Sequence, residues 1–267
     1  MLHYNWHRAQ QPSNKVLVLL HGFISDQRTF DSHIEILTRE ADVVCVDLPG
    51  HGQDQSPMDI QWDFDWITSE LHLVLQQFES QAIYLHGYSM GARVALYYAL
   101  NHASLLSGLI LESGSPGIQD PVARHERQQV DAARARVLEI AGLEVFVNDW
   151  EKLPLFRSQY ELDAEVRKAI RANRMSQNPV RLAKALRDYG TGNMPNLWPQ
   201  VSSLRVRTLI LTGEKDEKFV QIGQKLKEEI PNSRTVQVSD VGHTIHVEDS
   251  TEFDTIILGF LKEEQND

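Results

Sequence analysis

Short runs of consecutive apolar residues alternate along the chain with stretches whose apolar positions recur every three or four residues. The runs fall at 16–20, 43–46, 82–85, 106–111, 208–211 and 235–238. Runs this short and continuous predict strands buried on both faces, as in a parallel sheet. Residues 2–8 read as an edge strand. The helical spacing lies between the runs: Phe30, Ile34 and Leu37 within 28–39, Phe64, Ile67, Leu71, Val74, Leu75 and Phe78 within 64–78, then 220–229 and 252–261. Alternating strands and helices imply an α/β fold, a mostly parallel sheet with helices on both faces. The rhythm breaks at 119–204, which holds no strand-like run. It reads instead as helices near 122–140, 143–150, 164–174 and 180–189, punctuated by Gly142, Pro154, Pro179 and Gly190-Thr191-Gly192. The expected organisation is therefore an α/β core over 1–115, an inserted helical cap over 116–203, and the rest of the core over 204–267. Such a cap would sit over the C-terminal ends of the strands, where open α/β sheets bind ligands.

Composition narrows the class. The 267 residues are 42% hydrophobic, enough for a large core. No apolar run reaches the length of a membrane span, and the start, Met1-Leu2-His3-Tyr4, lacks the blocks of a signal peptide. Cys45 is the only cysteine, so neither an intramolecular disulfide nor a thiolate metal cluster is possible, and it is expected to pack in the core. These features predict a cytoplasmic protein. A net charge of -11 argues against nucleic-acid and anionic-membrane partners. The charge is uneven: residues 116–203 hold 13 Lys and Arg against 11 Asp and Glu, and ten of those cations are arginines. An acidic protein with an arginine-rich middle suggests a local anion site.

The strongest chemical signal is Gly87-Tyr88-Ser89-Met90-Gly91, a G-x-S-x-G turn between a predicted strand and a predicted helix. The glycines leave room for a sharp turn with Ser89 at its tip, and the Met90 N–H opens the helix, where unpaired donors favour negative charge. A serine hydroxyl needs a base, and chain order in this architecture is serine, acid, histidine. Asp216 follows the run at 208–211 and is preferred as the acid over Glu214, which falls within the turn. His243 follows Gly242 after the last strand and is preferred as the base over His246. The second oxyanion donor should come from the loop after 16–20, where the Phe23 N–H fits beside that of Met90. His21 and His51 read as structural hydrogen-bonding groups, and no histidine has metal-ligand spacing.

The arginines indicate the substrate. Arg93 lies one helical turn after Ser89, a poor choice for an apolar ester pocket. In the cap, Arg124 and Arg127 share a helix face, as do Arg167, Arg171 and Arg174. Guanidinium forks match carboxylates, so several above a serine and histidine imply a substrate with more than one carboxylate. Trp150 could wall the pocket.

These motifs carry a resemblance. G-Y-S-M-G-A-R, S-G-S-P-G at 113–117, E-R-Q-Q at 126–129, N-D-W-E-K-L-P-L-F at 148–156 and R-A-N-R from Arg171 look like the 2-succinyl-6-hydroxy-2,4-cyclohexadiene-1-carboxylate synthases of menaquinone biosynthesis, a branch of the α/β-hydrolase fold superfamily. The resemblance spans nearly the whole chain; Ala92 replaces a glycine common in that family, and Glu151 an aromatic residue. It implies a lyase that eliminates pyruvate from 2-succinyl-5-enolpyruvyl-6-hydroxy-3-cyclohexene-1-carboxylate. Ser89, activated by His243 and Asp216, would take a ring proton, the Phe23 and Met90 N–H groups would meet the developing negative charge, and Arg93, Arg127 and Arg171 would hold carboxylates beside Tyr88 and Trp150. No cofactor or metal is implied, and a monomer or small homo-oligomer is expected. The competing readings are a carboxylesterase or carbon–carbon bond hydrolase acting through an acyl-serine, and a ligand-binding protein without turnover, against which the complete set of three residues argues.

Overall fold

The apolar runs become β2 (Lys15–Leu20), β3 (Asp42–Val46), β4 (Ala82–Tyr88), β5 (Leu106–Glu112), β6 (Thr208–Gly213) and β7 (Ser233–Val238), preceded by β1 (Tyr4–His7). The computed structural model describes residues 1–263. Among them, these strands form one sheet in the order β1-β3-β2-β4-β5-β6-β7. Only the edge strand β1 runs antiparallel to its neighbour; the other pairings are parallel. β2 lies between β3 and β4, with Val18 level with Val44 and Leu85.

Strand side chains alternate between the two faces of a sheet, and here both faces are buried. Val16, Val18 and Leu20 point into one core with Ile67, Leu71 and Val74 of α2 (Phe64–Leu75) and Val94 and Ala95 of α3 (Met90–His102). Leu17 and Leu19 point into the other, with Phe30, Leu37 of α1 (Ile34–Leu37), and Phe253, Ile257 and Phe260 of the last helix. That two-sided burial is why the strands read as unbroken apolar runs. Cys45 belongs to the second core, where burial pushes its thiol pKa up.

Between β5 and β6 stand α4 (Pro121–Ile140), α5 (Leu143–Trp150), α6 (Ala164–Met175) and α7 (Pro179–Tyr189), and the described residues of this stretch form no strand. Side-chain caps from Asp120 and Asn178, each followed by proline, start α4 and α7. These helices close a third apolar cluster of Ala135, Leu138, Phe146, Val147, Leu182 and Leu186 against Ile24 of the core. After β6 come α8 (Glu217–Glu229), then, beyond β7, α9 (Ile245–Glu248) and α10 (Ser250–Lys262). Among the described residues no helix is long and apolar enough to cross a membrane.

Local structure differs from the periodicity in three places. The stretch expected as one helix at 28–39 begins as a 3-10 helix, Gln27–His33, before the single turn of α1. Its start is held by other bonds: Asp26 accepts from the Arg28 N–H, and Gln27 N–H donates to Asp47. A 3-10 helix at Pro154–Glu161 and the short α9 have too few residues to show a period.

Asp26 ties the helical layer to the core. Its buried carboxylate accepts from Arg28, from Asn173 (2.9 Å) on α6 and from Gln177 (2.7 Å) beyond it. Burial alone would raise its pKa; the bonds from Arg28 and the other cations and donors outweigh that and lower it to about 2 from 3.8. A carboxylate depressed in the folded state stabilises fully above its unfolded pKa, and that contribution fades as pH falls from about 4 towards about 2. Asp26→Asn is therefore expected to lose about 1–2 kcal/mol at neutral pH, discounted because Arg28 is half exposed. The gap between variant and wild-type urea midpoints should narrow steadily as pH falls from about 4 to about 2; a gap that stays constant across that range would assign the loss to packing.

Candidate active site

Ser89 sits where β4 turns into α3, with φ 51° and ψ -102°, a left-handed conformation that costs energy for any residue with a Cβ. The turn is tight enough to exclude side chains on both flanks. A Cβ on Gly87 would lie 2.6 Å from Ala92 N and overlap the Gly91 backbone; one on Gly91 would overlap Leu20 O and lie 2.7 Å from His21 O. The Ser89 N–H donates to Glu112 O at the end of β5, which fixes the tip against the sheet.

His243 reaches this tip from the loop after β7. Its Nε2 is 2.9 Å from Ser89 Oγ, and its Nδ1 is 2.6 Å from Asp216 Oδ2. Asp216 stands at the start of α8. The loop is clamped: Glu248 accepts from the N–H groups of Gly242 and Thr244, and Ser113 Oγ donates to His243 O. Phe219 and Tyr88 pack on the imidazole at ring distances of 4.6 and 5.4 Å. With Nδ1–H donated to the carboxylate, Nε2 is left to accept the serine proton. The competitors lie elsewhere. Glu214 accepts from Asp240 N–H at the surface. His246 Nδ1 pairs with Glu112 (2.8 Å) and its Nε2 with Thr29 (3.0 Å). Glu112 is fully buried between His246 and His86; burial would raise its pKa, but those two histidines hold it well below the usual carboxylate range.

Ser89 and His243 open into a cavity of about 810 Å³ beneath the helical layer. Phe23, Tyr88, Met90, Arg93, Arg127 and Trp150 line it as well. Met90 is the first residue of α3, so its N–H has no intrahelical acceptor. Phe23 follows β2, and its ring meets Trp150 edge-on at 5.2 Å. The Tyr88 hydroxyl is 2.7 Å from Thr244 Oγ1, and burial raises its pKa, keeping the phenol neutral. Arg93 is buried, and among the described residues it donates only to Tyr189 O (3.2 Å). Burial, then the charge of Arg127, lower its pKa to about 10, so it stays a cation at neutral pH. Arg127 donates its Nε–H to Asp131, leaving its terminal nitrogens without a hydrogen bond among the described residues. The Trp150 indole N–H is buried without a hydrogen-bond partner among the described residues.

Arg171 departs from the expected set. It does not line the cavity; its guanidinium donates to Glu151 (2.6 Å) and Asn148 (2.8 Å) on the side of the helical layer. Arg174, one turn further along α6, faces inward instead, buried, 3.0 Å from Gln159 Oε1 and stacked 5.0 Å over Phe156. Glu151 accepts from both arginines. Gln159 also donates to Thr244 Oγ1, so Arg174, Gln159, Thr244 and Tyr88 form one chain from the helical layer to the elbow. Spacing had grouped Arg171 and Arg174 on one face; no sequence signal marked Gln159 or Thr244.

Comparison with known proteins agrees with this architecture. A family profile described as alpha/beta hydrolase fold matches residues 15–250. The chain is 35% identical over 250 residues to a putative 2-succinyl-6-hydroxy-2,4-cyclohexadiene-1-carboxylate synthase of Bacillus subtilis, covering 93% of this chain and 91% of that protein. It is 32% identical over 249 residues to the synthase of that name from Salmonella typhimurium, covering 93% and 94%. The solved structure of MenH from S. aureus is 59% identical, covers all of both chains and superposes with a TM-score of 0.97. A thermophilic esterase from Thermogutta terrifontis, solved with malate bound, is 25% identical with a TM-score of 0.83, covering 98% of this chain and 93% of that one. The chain thus belongs to the α/β-hydrolase family and, within it, to the 2-succinyl-6-hydroxy-2,4-cyclohexadiene-1-carboxylate synthases.

Proposed function

We propose that this protein eliminates pyruvate from 2-succinyl-5-enolpyruvyl-6-hydroxy-3-cyclohexene-1-carboxylate to give 2-succinyl-6-hydroxy-2,4-cyclohexadiene-1-carboxylate, a step of menaquinone biosynthesis. The observation that carries the reading is the pairing of a hydrogen-bonded serine, histidine and aspartate with a cavity whose arginines outnumber its carboxylates. Ser89 Oγ, giving its own proton to His243 Nε2, takes the ring proton. The electrons of the C2–H bond form a C2=C3 double bond, the existing C3=C4 double bond shifts to C4=C5, and the C5–O bond to the enolpyruvyl group breaks; the departing enolate collects a proton from His243 and becomes pyruvate. Charge gathering on the conjugated carbonyl is met by the Phe23 and Met90 N–H groups. Asp216 orients the imidazole and stabilises its cation. Residues 116–203 act as a lid, with Tyr88 and Trp150 as walls and Arg93, Arg127 and Arg174 as carboxylate anchors. The elimination consumes no water and passes through no acyl-serine, so the protein acts on a free small polycarboxylate.

The deciding experiment supplies the enolpyruvyl substrate and, in parallel, a simple aryl ester. Pyruvate release, with Ser89 unmodified in the intact-mass spectrum, supports elimination. A substrate-derived acyl adduct on Ser89, or turnover of the ester alone, would move the assignment to a hydrolase. Arg174→Ala is expected to cut kcat/KM for the substrate about 10- to 100-fold, the loss of a charge-assisted bond in a desolvated site. Arg171→Ala, beside it but outside the cavity, is expected to cost less than about threefold, as for an exposed ion pair. The reverse ranking in steady-state kinetics would return Arg171 to the site.

A further inference from the structure

Two arginines that line the cavity, Arg28 and Arg134, have no part in the chemistry above. Arg134 lies on α4 seven residues beyond Arg127, two turns and about 10 Å further along one helix face. It lines the cavity, with its guanidinium carbon 5.2 Å over the Trp150 ring. No hydrogen bond or ion pair ties it to any other described residue. The other arginines near the cavity are engaged: Arg28 with Asp26, Arg174 with Glu151, Arg127 with Asp131. Arg93, Arg127 and Arg134 are left with one carboxylate among them, Asp131, which already accepts from Arg127 and from Gly192 N–H. Partly buried cations in such excess repel one another and lose hydration without return, an arrangement that an incoming anion relieves. Burial, then the charge of Arg127, lower the pKa of Arg134, consistent with an unfilled anion position. Stacking on Trp150 explains where the guanidinium rests but leaves its N–H donors unused.

We propose that Arg134 is a specificity-determining residue whose free fork receives the carboxylate at the end of the substrate's succinyl arm, beside the Trp150 indole N–H, while Arg93 and Arg127 hold charge nearer Ser89. The inference rests on the elimination reading for the identity of the arm. Its geometric basis is the two-turn separation on α4: of the substrate's carboxylates, the succinyl one stands on a chain long enough to leave the ring and reach it.

The test uses the full-length protein and the variant Arg134→Leu, which keeps an apolar contact with Trp150, with Arg134→Gln as a second variant of closer length. KM for the enolpyruvyl substrate is expected to rise about 10- to 100-fold with kcat within about threefold of wild type. An analogue carrying an amide at the end of the succinyl arm should be a poorer substrate for wild type and indistinguishable from the substrate for the variant. Arg136→Leu, an exposed position two residues on, supplies the charge control and is expected to behave as wild type. A second readout is independent of turnover: succinate should raise the thermal midpoint of wild type and not that of Arg134→Leu. An unchanged KM in a folded variant overturns the proposal. If wild type releases no pyruvate, the elimination reading fails by itself, and the succinate readout decides: protection lost in the variant supports the subsite, whereas equal or absent protection overturns it.

Discussion

Ser89→Ala is expected to lower kcat for pyruvate release by about 10³-fold, within the range for loss of a positioned base, while the thermal midpoint stays within a few degrees of wild type. Among the described residues the hydroxyl makes one hydrogen bond, to His243 Nε2, so its removal leaves no other buried group there unpaired. KM should change little, because the carboxylate anchors are untouched. His243→Ala should fall by a similar factor, and the double variant should be no slower than either single one, since a proton passed through two groups is lost once. Asp216→Asn should also be severely impaired: an amide in place of the carboxylate can donate to Nδ1, which favours the tautomer with its proton on Nε2 and leaves nothing to accept from serine. Retention of more than a tenth of wild-type kcat by Ser89→Ala would take the hydroxyl out of the chemistry and leave His243 as the base acting alone.

Gly91→Ala should have the second largest effect, and on the fold as well as the reaction. The new methyl would overlap Leu20 O and lie within 2.7 Å of His21 O, both backbone atoms at the end of a central strand. A flexible side chain could move aside; a carbonyl held in the middle of a seven-stranded sheet cannot. The expected cost is about 3 kcal/mol, at the upper end for overpacking, visible as a lower urea midpoint. Whatever protein remains folded must open the elbow, which shifts Ser89 from the imidazole and the Met90 N–H from the cavity, so kcat should fall even per folded molecule. Ala92, one position on, is buried with its methyl in place, so the demand for glycine is local to Gly91. A folded, fully active Gly91→Ala would show that the turn has slack the geometry denies.

What could be read from the chain divides by the range of the interactions. The strands were legible because burial on both faces leaves Val16 to Leu20 no polar position, and the elbow because its glycines are demanded by contacts a few residues away. His243 and Asp216 were reachable because chain order in this architecture constrains them once the serine is placed. Arg171 and Arg174 show where this stops. Spacing puts both on one side of α6, but which of the two turns inward depends on how that helix docks, and docking is set by Asp26 bonding Asn173 and Gln177, contacts about 150 residues apart in sequence. Gln159 was hidden in a 3-10 helix too short for a period, and the Glu112 to His246 pair joins positions 134 apart. Long-range polar partners of this kind leave no local trace.

Phe23 belongs to two neighbourhoods at once: its N–H is the donor proposed for the reacting carbonyl, and its ring rests against Trp150 and Phe146 of the helical layer. Any loosening of the roof therefore detunes the anion cradle below it. Substitutions far from the serine, at Trp150 or Phe146, should register as slower turnover and not merely as weaker capture, since the packing of the roof would then set the chemistry beneath it.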